Sequence, residues 1–205
     1  MLGMALWNEA RPAPSLPDAV LALVPRLDLV ARYNYHLWLL AYVPPALWLY
    51  RRDRTQFLNF LWWGGWLSLL RGLCICATGL GPVDGGDINA GLDAATRWHA
   101  WVAIVNPFSA LTTDAPHVYL TKDLFFSGHT ASTFLLYLCC RGQRTLGAVA
   151  LAAHVLTVAV VFMAHLHYTI DVIGAWAVTF ALFTFCRRRG AGPVLASAPC
   201  GPSSV

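Results

Sequence analysis

TLGAVALAAHVLTVAVVFMAHL (145–166) and TIDVIGAWAVTFALFTFC (169–186) are apolar runs separated only by His167 and Tyr168, and Arg187, Arg188 and Arg189 close the second. A helix rises ~1.5 Å per residue and a bilayer core is about 30 Å thick, so each run is long enough to cross one. So short a link predicts two adjacent antiparallel helices. Working towards the N-terminus, further apolar runs at 124–140, 56–80 and 33–50 bring the expected spans to five. Pro44 and Pro45 are expected to kink or break the 33–50 span.

Composition points the same way. Of the 205 residues, 58% are hydrophobic and 12% charged, against about 25% charged in soluble domains. The fold class expected is therefore all-α, a multi-pass transmembrane helix bundle. Arg51, Arg52, Arg54, Arg141, Arg144 and Arg187 to Arg189 fall on one side of it, with Asp53 the only acid there. That side is cytoplasmic by the positive-inside rule, so five spans put the N-terminus outside and the C-terminus inside. The net charge of +4 follows this placement, and no basic stripe interleaved with aromatics invites nucleic acid. Homo-oligomer formation is compatible with the pattern.

Three regions follow: a non-cytoplasmic leading segment with an interfacial helix (1–32), a membrane domain (33–189) and a disordered cytoplasmic tail (190–205). The leading segment lacks the basic start of a signal peptide. Residues 18–32 mix apolar and charged positions and are expected on the membrane surface. Within the outer link 84–123, LDAATRWHAWVAIV (92–105) reads as an amphipathic helix along the membrane. Five of the six cysteines lie in or beside apolar runs, where Cys usually acts as a small hydrophobe.

Ionisable groups within apolar runs are functional candidates. Arg71, His129, His165, His167 and Asp171 are all carried towards the outer face by this topology, whereas His154 reads as a packing residue. His167 and Asp171 are four apart and share a face on a continuing helix. An Asp bonded to one ring nitrogen leaves the other nucleophilic. His129 can act as acid towards a leaving alkoxide. It follows Ser127 and Gly128, a possible anion donor and a site of close backbone approach. Arg71 offers a fork of donors to a phosphate. Each has a plainer reading as well: Asp171 and His167 as a helix start, Arg71 bonded to backbone carbonyls, His165 as an interfacial residue.

KDLFFSGHTAS (122–132) and AHLHYTIDVIGAW (164–176) resemble the two catalytic motifs of sphingomyelin synthases, a branch of the type 2 phosphatidic acid phosphatase superfamily. The first motif falls on Asp123 and Ser127 to Thr130, with Lys122 where the family has Gly; the second falls on His165, His167, Tyr168, Thr169 and Asp171. Leu16, Pro17, Asp18 and Pro25 match a third motif, and Arg51, Arg52, Arg71, Thr78 and Leu80 a fourth. The family's usual first span is not found ahead of the third motif, giving a five-span core where six are usual.

The resemblance implies catalysis by His129, His167 and Asp171, with Arg71, Asp123, Ser127, Gly128 and His165 around the phosphate. The implied reaction moves a phosphocholine or phosphoethanolamine headgroup from a glycerophospholipid donor to ceramide or another lipid alcohol. It runs through phosphohistidine on the non-cytoplasmic face and needs no metal or other cofactor. The membrane implied is a bacterial inner membrane, or Golgi or plasma membrane in a eukaryote. The rival readings are a lipid phosphatase or phospholipase C with water as acceptor, and a non-catalytic ceramide sensor.

Overall fold

The computed structural model describes residues 2–83, 86–87, 89, 93–105 and 120–190. These residues are helical, without strands: α1 (Leu2–Glu9), α2 (Asp28–Arg52), α3 (Arg54–Ala77), α4 (Ala94–Val105), α5 (Gly128–Cys140), α6 (Arg144–Met163) and α7 (Thr169–Arg188). Among the described residues, only α3, α6 and α7 are long and apolar enough to cross a membrane. The long helix α2 is diluted by Asp28, Arg32, Asn34 and His36, and α5 has just 13 residues. At ~1.5 Å per residue α5 covers about 20 Å, short of a bilayer core.

The short helix is nevertheless the centre. It packs against α2, α3, α6 and α7, and Ala131, Leu135 and Leu136 are buried along it. This corrects the expected pairing of the two C-terminal runs. The joint between α6 and α7 spans Ala164 to Tyr168, wider than the sequence suggested, and α6 lies along α2 and α5 instead. Between them α6 and α7 have at most a marginal backbone approach.

Three other expectations shift. The helix α2 runs through Pro44 and Pro45 without a break. Its first turns include residues 28–32, so no separate surface helix covers 18–32; residues 18–24 form turns closed by bonds such as Ala22 N to Asp18 O. Residues 124–127, expected to open a span, are irregular and lead into α5. The helix anticipated at 92–105 is α4, while the segment 106–119 and the tail from 191 lie outside the described residues.

Polar bonds hold the N-terminus to the bundle. Buried Lys122 donates from Nζ to the carbonyls of Glu9 (3.0 Å) and Arg11 (2.8 Å) and pairs with Asp87. A cation at the end of α1 satisfies carbonyls that no further helical turn reaches. Glu9 in turn accepts from Lys122 N (2.6 Å), Asn89 (2.8 Å) and Thr121 (3.0 Å). Burial pushes the Glu9 carboxyl above its ordinary value, and these donors oppose that push. Arg11 caps the other partner, donating to Cys76 O near the end of α3 at 2.7 Å.

Because α5 is the packing centre, Leu135→Ala is expected to lower stability by about 2–5 kcal/mol. Leu156→Ala on the exposed face of α6 is expected to stay within about 0.5 kcal/mol. Thermal unfolding of the two variants in one detergent checks the contrast.

Candidate active site

The irregular segment before α5 carries backbone groups that no helix satisfies, and buried backbone groups need partners. Arg71, projecting from α3, meets two of them. Its Nε donates to Phe126 O at 2.7 Å and its Nη2 to Asp123 O at 3.0 Å, with the Asp123 carboxylate 2.9 Å from the same nitrogen. The guanidinium lies against Gly128, where an added Cβ would come within 3.1 Å of Cζ. Gly128 therefore has a packing reason to lack a side chain. The plainer reading of Arg71, a donor to carbonyls, is what these bonds display.

The same segment is held from the other side by Asp171, in the first turn of α7. One carboxylate oxygen accepts from Phe125 N at 3.1 Å; the other accepts from Tyr168 N at 3.0 Å and lies 3.3 Å from His167 Nδ1. Its carbonyl also accepts from Ser127 N at 3.1 Å. A carboxylate can only accept, so Nδ1 carries the hydrogen and Nε2 the lone pair. Asp171 is fully buried, and His167 is 5% exposed.

His129, one residue into α5, packs edge-on against Trp38 with ring centroids 5.2 Å apart. It lies in electrostatic reach of His167, Arg71 and Asp123. One Asp123 carboxylate oxygen is buried without a partner among the described residues. Ser127 caps α5, its Oγ accepting from Thr130 N at 3.3 Å. His165, at a left-handed φ of 51°, has Nε2 2.9 Å from Val24 O and so ties the α6–α7 joint to the leading segment. No three of His, Cys, Asp or Glu among the described residues are gathered as metal ligands.

Two supports were not assigned a role from the sequence. Asp18 accepts from Thr169 N (2.6 Å) and Thr169 Oγ1 (2.9 Å), fastening the leading segment to the start of α7. Tyr168 Oη accepts from Leu16 N at 3.1 Å and lies 3.1 Å from the carbonyls of Gly81 and Pro82. The only signal for Asp18 was its place in a Leu-Pro-Asp triplet. His154 is buried with both nitrogens engaged: Nε2 accepts from Trp176 at 2.9 Å and Nδ1 meets Thr133 Oγ1 at 3.0 Å.

Partial burial works to raise the Asp18 carboxyl, but its hydrogen bonds outweigh that and hold it below the ordinary value of 3.8. A lowered carboxyl stabilises the fold above that value and loses its contribution as pH falls through the folded one. Asp18→Ala, which removes both acceptor oxygens, is expected to cost about 0.5–2 kcal/mol at pH 7, as helix-cap losses do. The gap to the parent should narrow on acidification towards about pH 3, as read by thermal unfolding at both pH values.

Residues 122–188 match the family model described as PAP2 superfamily C-terminal. No curated protein matches the chain significantly. The matched region, about a third of the chain, holds both the Asp123–His129 segment and the His167–Asp171 joint, so the likeness to the PAP2 superfamily falls on the site itself.

Proposed function

We propose that this protein transfers a phosphocholine or phosphoethanolamine headgroup from a glycerophospholipid to ceramide, releasing diacylglycerol. The observation that carries the reading is the bond between Asp171 and His167 Nδ1. Because Asp171 also accepts from two backbone N–H groups, its carboxyl is held in place as an acceptor that fixes the imidazole tautomer.

In the first step the lone pair on His167 Nε2 attacks the donor phosphorus. The bond to the glycerol oxygen breaks, and His129 gives that oxygen a proton as diacylglycerol leaves. In the second step His129 takes the proton from the primary hydroxyl of ceramide, whose oxygen attacks the phosphohistidine and regenerates His167. Both steps conserve charge on the headgroup. Arg71 faces the phosphate from α3, but with Nε and Nη2 already engaged it acts chiefly by holding the Asp123–Phe126 backbone in place. Ser127, Gly128 and Asp123 frame the same space, and His165 holds the joint that presents His167.

In this reading residues 33–189 form the catalytic membrane domain with five spans, 33–50 and 124–140 included. Residues 1–32 lead in from the non-cytoplasmic side, and 190–205 are a cytoplasmic tail. The arginines at the far helix ends, Arg51, Arg52, Arg141, Arg144, Arg187 and Arg188, support a site on the non-cytoplasmic face.

The test is turnover of headgroup-labelled phosphatidylcholine or phosphatidylethanolamine by the protein in nanodiscs, with and without ceramide. Label should move to ceramide in step with diacylglycerol release. Headgroup freed regardless of ceramide marks a hydrolase instead, and no turnover of either donor leaves a lipid sensor. Asp171→Asn is expected to cut turnover about 10⁴-fold, by analogy with loss of a histidine-orienting Asp elsewhere. His167→Ala should abolish the protein-bound label as well.

A further inference from the structure

A cavity of about 380 Å³ opens between α2, α3 and α5, within the ordinary size of a small-molecule site, about 300–1,000 Å³. Most of its wall is apolar or aromatic, including Tyr42, Phe60, Leu61, Leu67 and Leu135, and at one end Arg71 and Gly128 join the candidate active site. Leu61 at the rim is half-exposed, on the same helix as exposed Trp62 and Trp66. That helix, α3, is apolar enough to face lipid, so the opening is lateral and suits an amphiphile arriving from a bilayer.

Two adjacent glycines keep the space open. A Cβ on Gly65 would meet nothing within 4 Å, and one on Gly64 would meet only Leu135 Cδ2, at 4.0 Å. Small residues in membrane helices normally admit a neighbouring helix, yet none approaches Gly65 closely. Glycine within a helix costs about 1 kcal/mol relative to alanine; here it leaves room that no part of the described chain fills.

The cavity also takes sides. Trp38, one of its walls, packs edge-on against His129 and donates to Ser132 Oγ at 3.2 Å, another lining group. None of the lining residues comes from α6, α7 or the joint that carries His167. The space therefore belongs to the histidine that handles the lipid alcohol's oxygen, opposite the one that takes the phosphoryl group. Resting on the transfer reading above, we infer that this groove holds an acyl chain of the lipid alcohol, diacylglycerol as it departs and ceramide as it arrives.

The probe is diacylglycerol carrying a diazirine midway along one acyl chain, photolysed with the full chain in nanodiscs. Label should fall on lining positions of α3 and α5, such as those around Gly64 and Ala131, and unlabelled diacylglycerol should compete it away. Gly65→Leu, which fills the groove, should lower this labelling at least about tenfold, the effect of ~1.4 kcal/mol. Ala152→Leu, an exposed position on α6, should leave it unchanged. Label confined to outward positions such as Val155 and Ile173, or undiminished in Gly65→Leu, overturns the assignment. Competition and peptide mapping in the parent protein decide the matter even if Gly65→Leu folds poorly. Because photolabelling needs no turnover, saturable labelling of these positions in a protein that transfers nothing would retain the groove and strike only the transferase reading.

Discussion

Everything around the candidate site hangs on one carboxylate. Asp171 is sealed from solvent, and a polar group withdrawn from water without partners is too costly to retain. Its partners are the N–H of Phe125, the N–H of Tyr168 and the ring of His167, while its own carbonyl receives Ser127 N. Those groups come from two stretches where the chain is not helical, 124–127 and 164–168. One side chain thus supplies the hydrogen bonds that irregular backbone loses at both places, and couples the start of α5 to the start of α7. The orientation of His167 and the closure of the fold are the same set of bonds.

Arg71 does the complementary work from α3. Non-helical backbone is tolerated in a membrane protein where protein supplies the missing partners, and the guanidinium gives donors to the carbonyls of Asp123 and Phe126. Gly128 is the spatial counterpart, since a side chain there would press on the guanidinium. A substitution at Arg71 therefore disturbs the path of the chain first.

Local spacing made part of this legible in the sequence. The His167–Asp171 pair could be read from an i, i+4 interval at a joint between two apolar runs, and α3, α6 and α7 from their lengths. What escaped is tertiary. Leu124, Phe125 and Phe126 look like the opening of a span because they are apolar, but Leu124 and Phe126 are buried by neighbouring protein, and their hydrophobicity says nothing of helix. The two C-terminal runs looked adjacent because the link looked short; α5 wedges against both, which no periodicity encodes. The roles of Lys122, Glu9, Arg11 and Asp18 were hidden for another reason. Each is bonded to residues dozens of positions away or more, and three of the four close off a helix terminus that belongs to a different part of the chain.

The row from Trp176 through His154 to Thr133 has a consequence of its own. An indole N–H can only give a hydrogen, so His154 Nε2 must receive it and Nδ1 must donate onward to Thr133. The threonine hydroxyl then passes its hydrogen to the carbonyl of His129, 2.9 Å away, which can only receive. With a pure giver at one end and a pure receiver at the other, the row has a fixed direction and cannot be reversed. It is a brace rather than a wire: it ties three helices to the backbone of His129 without offering that imidazole any route for protons through the protein interior.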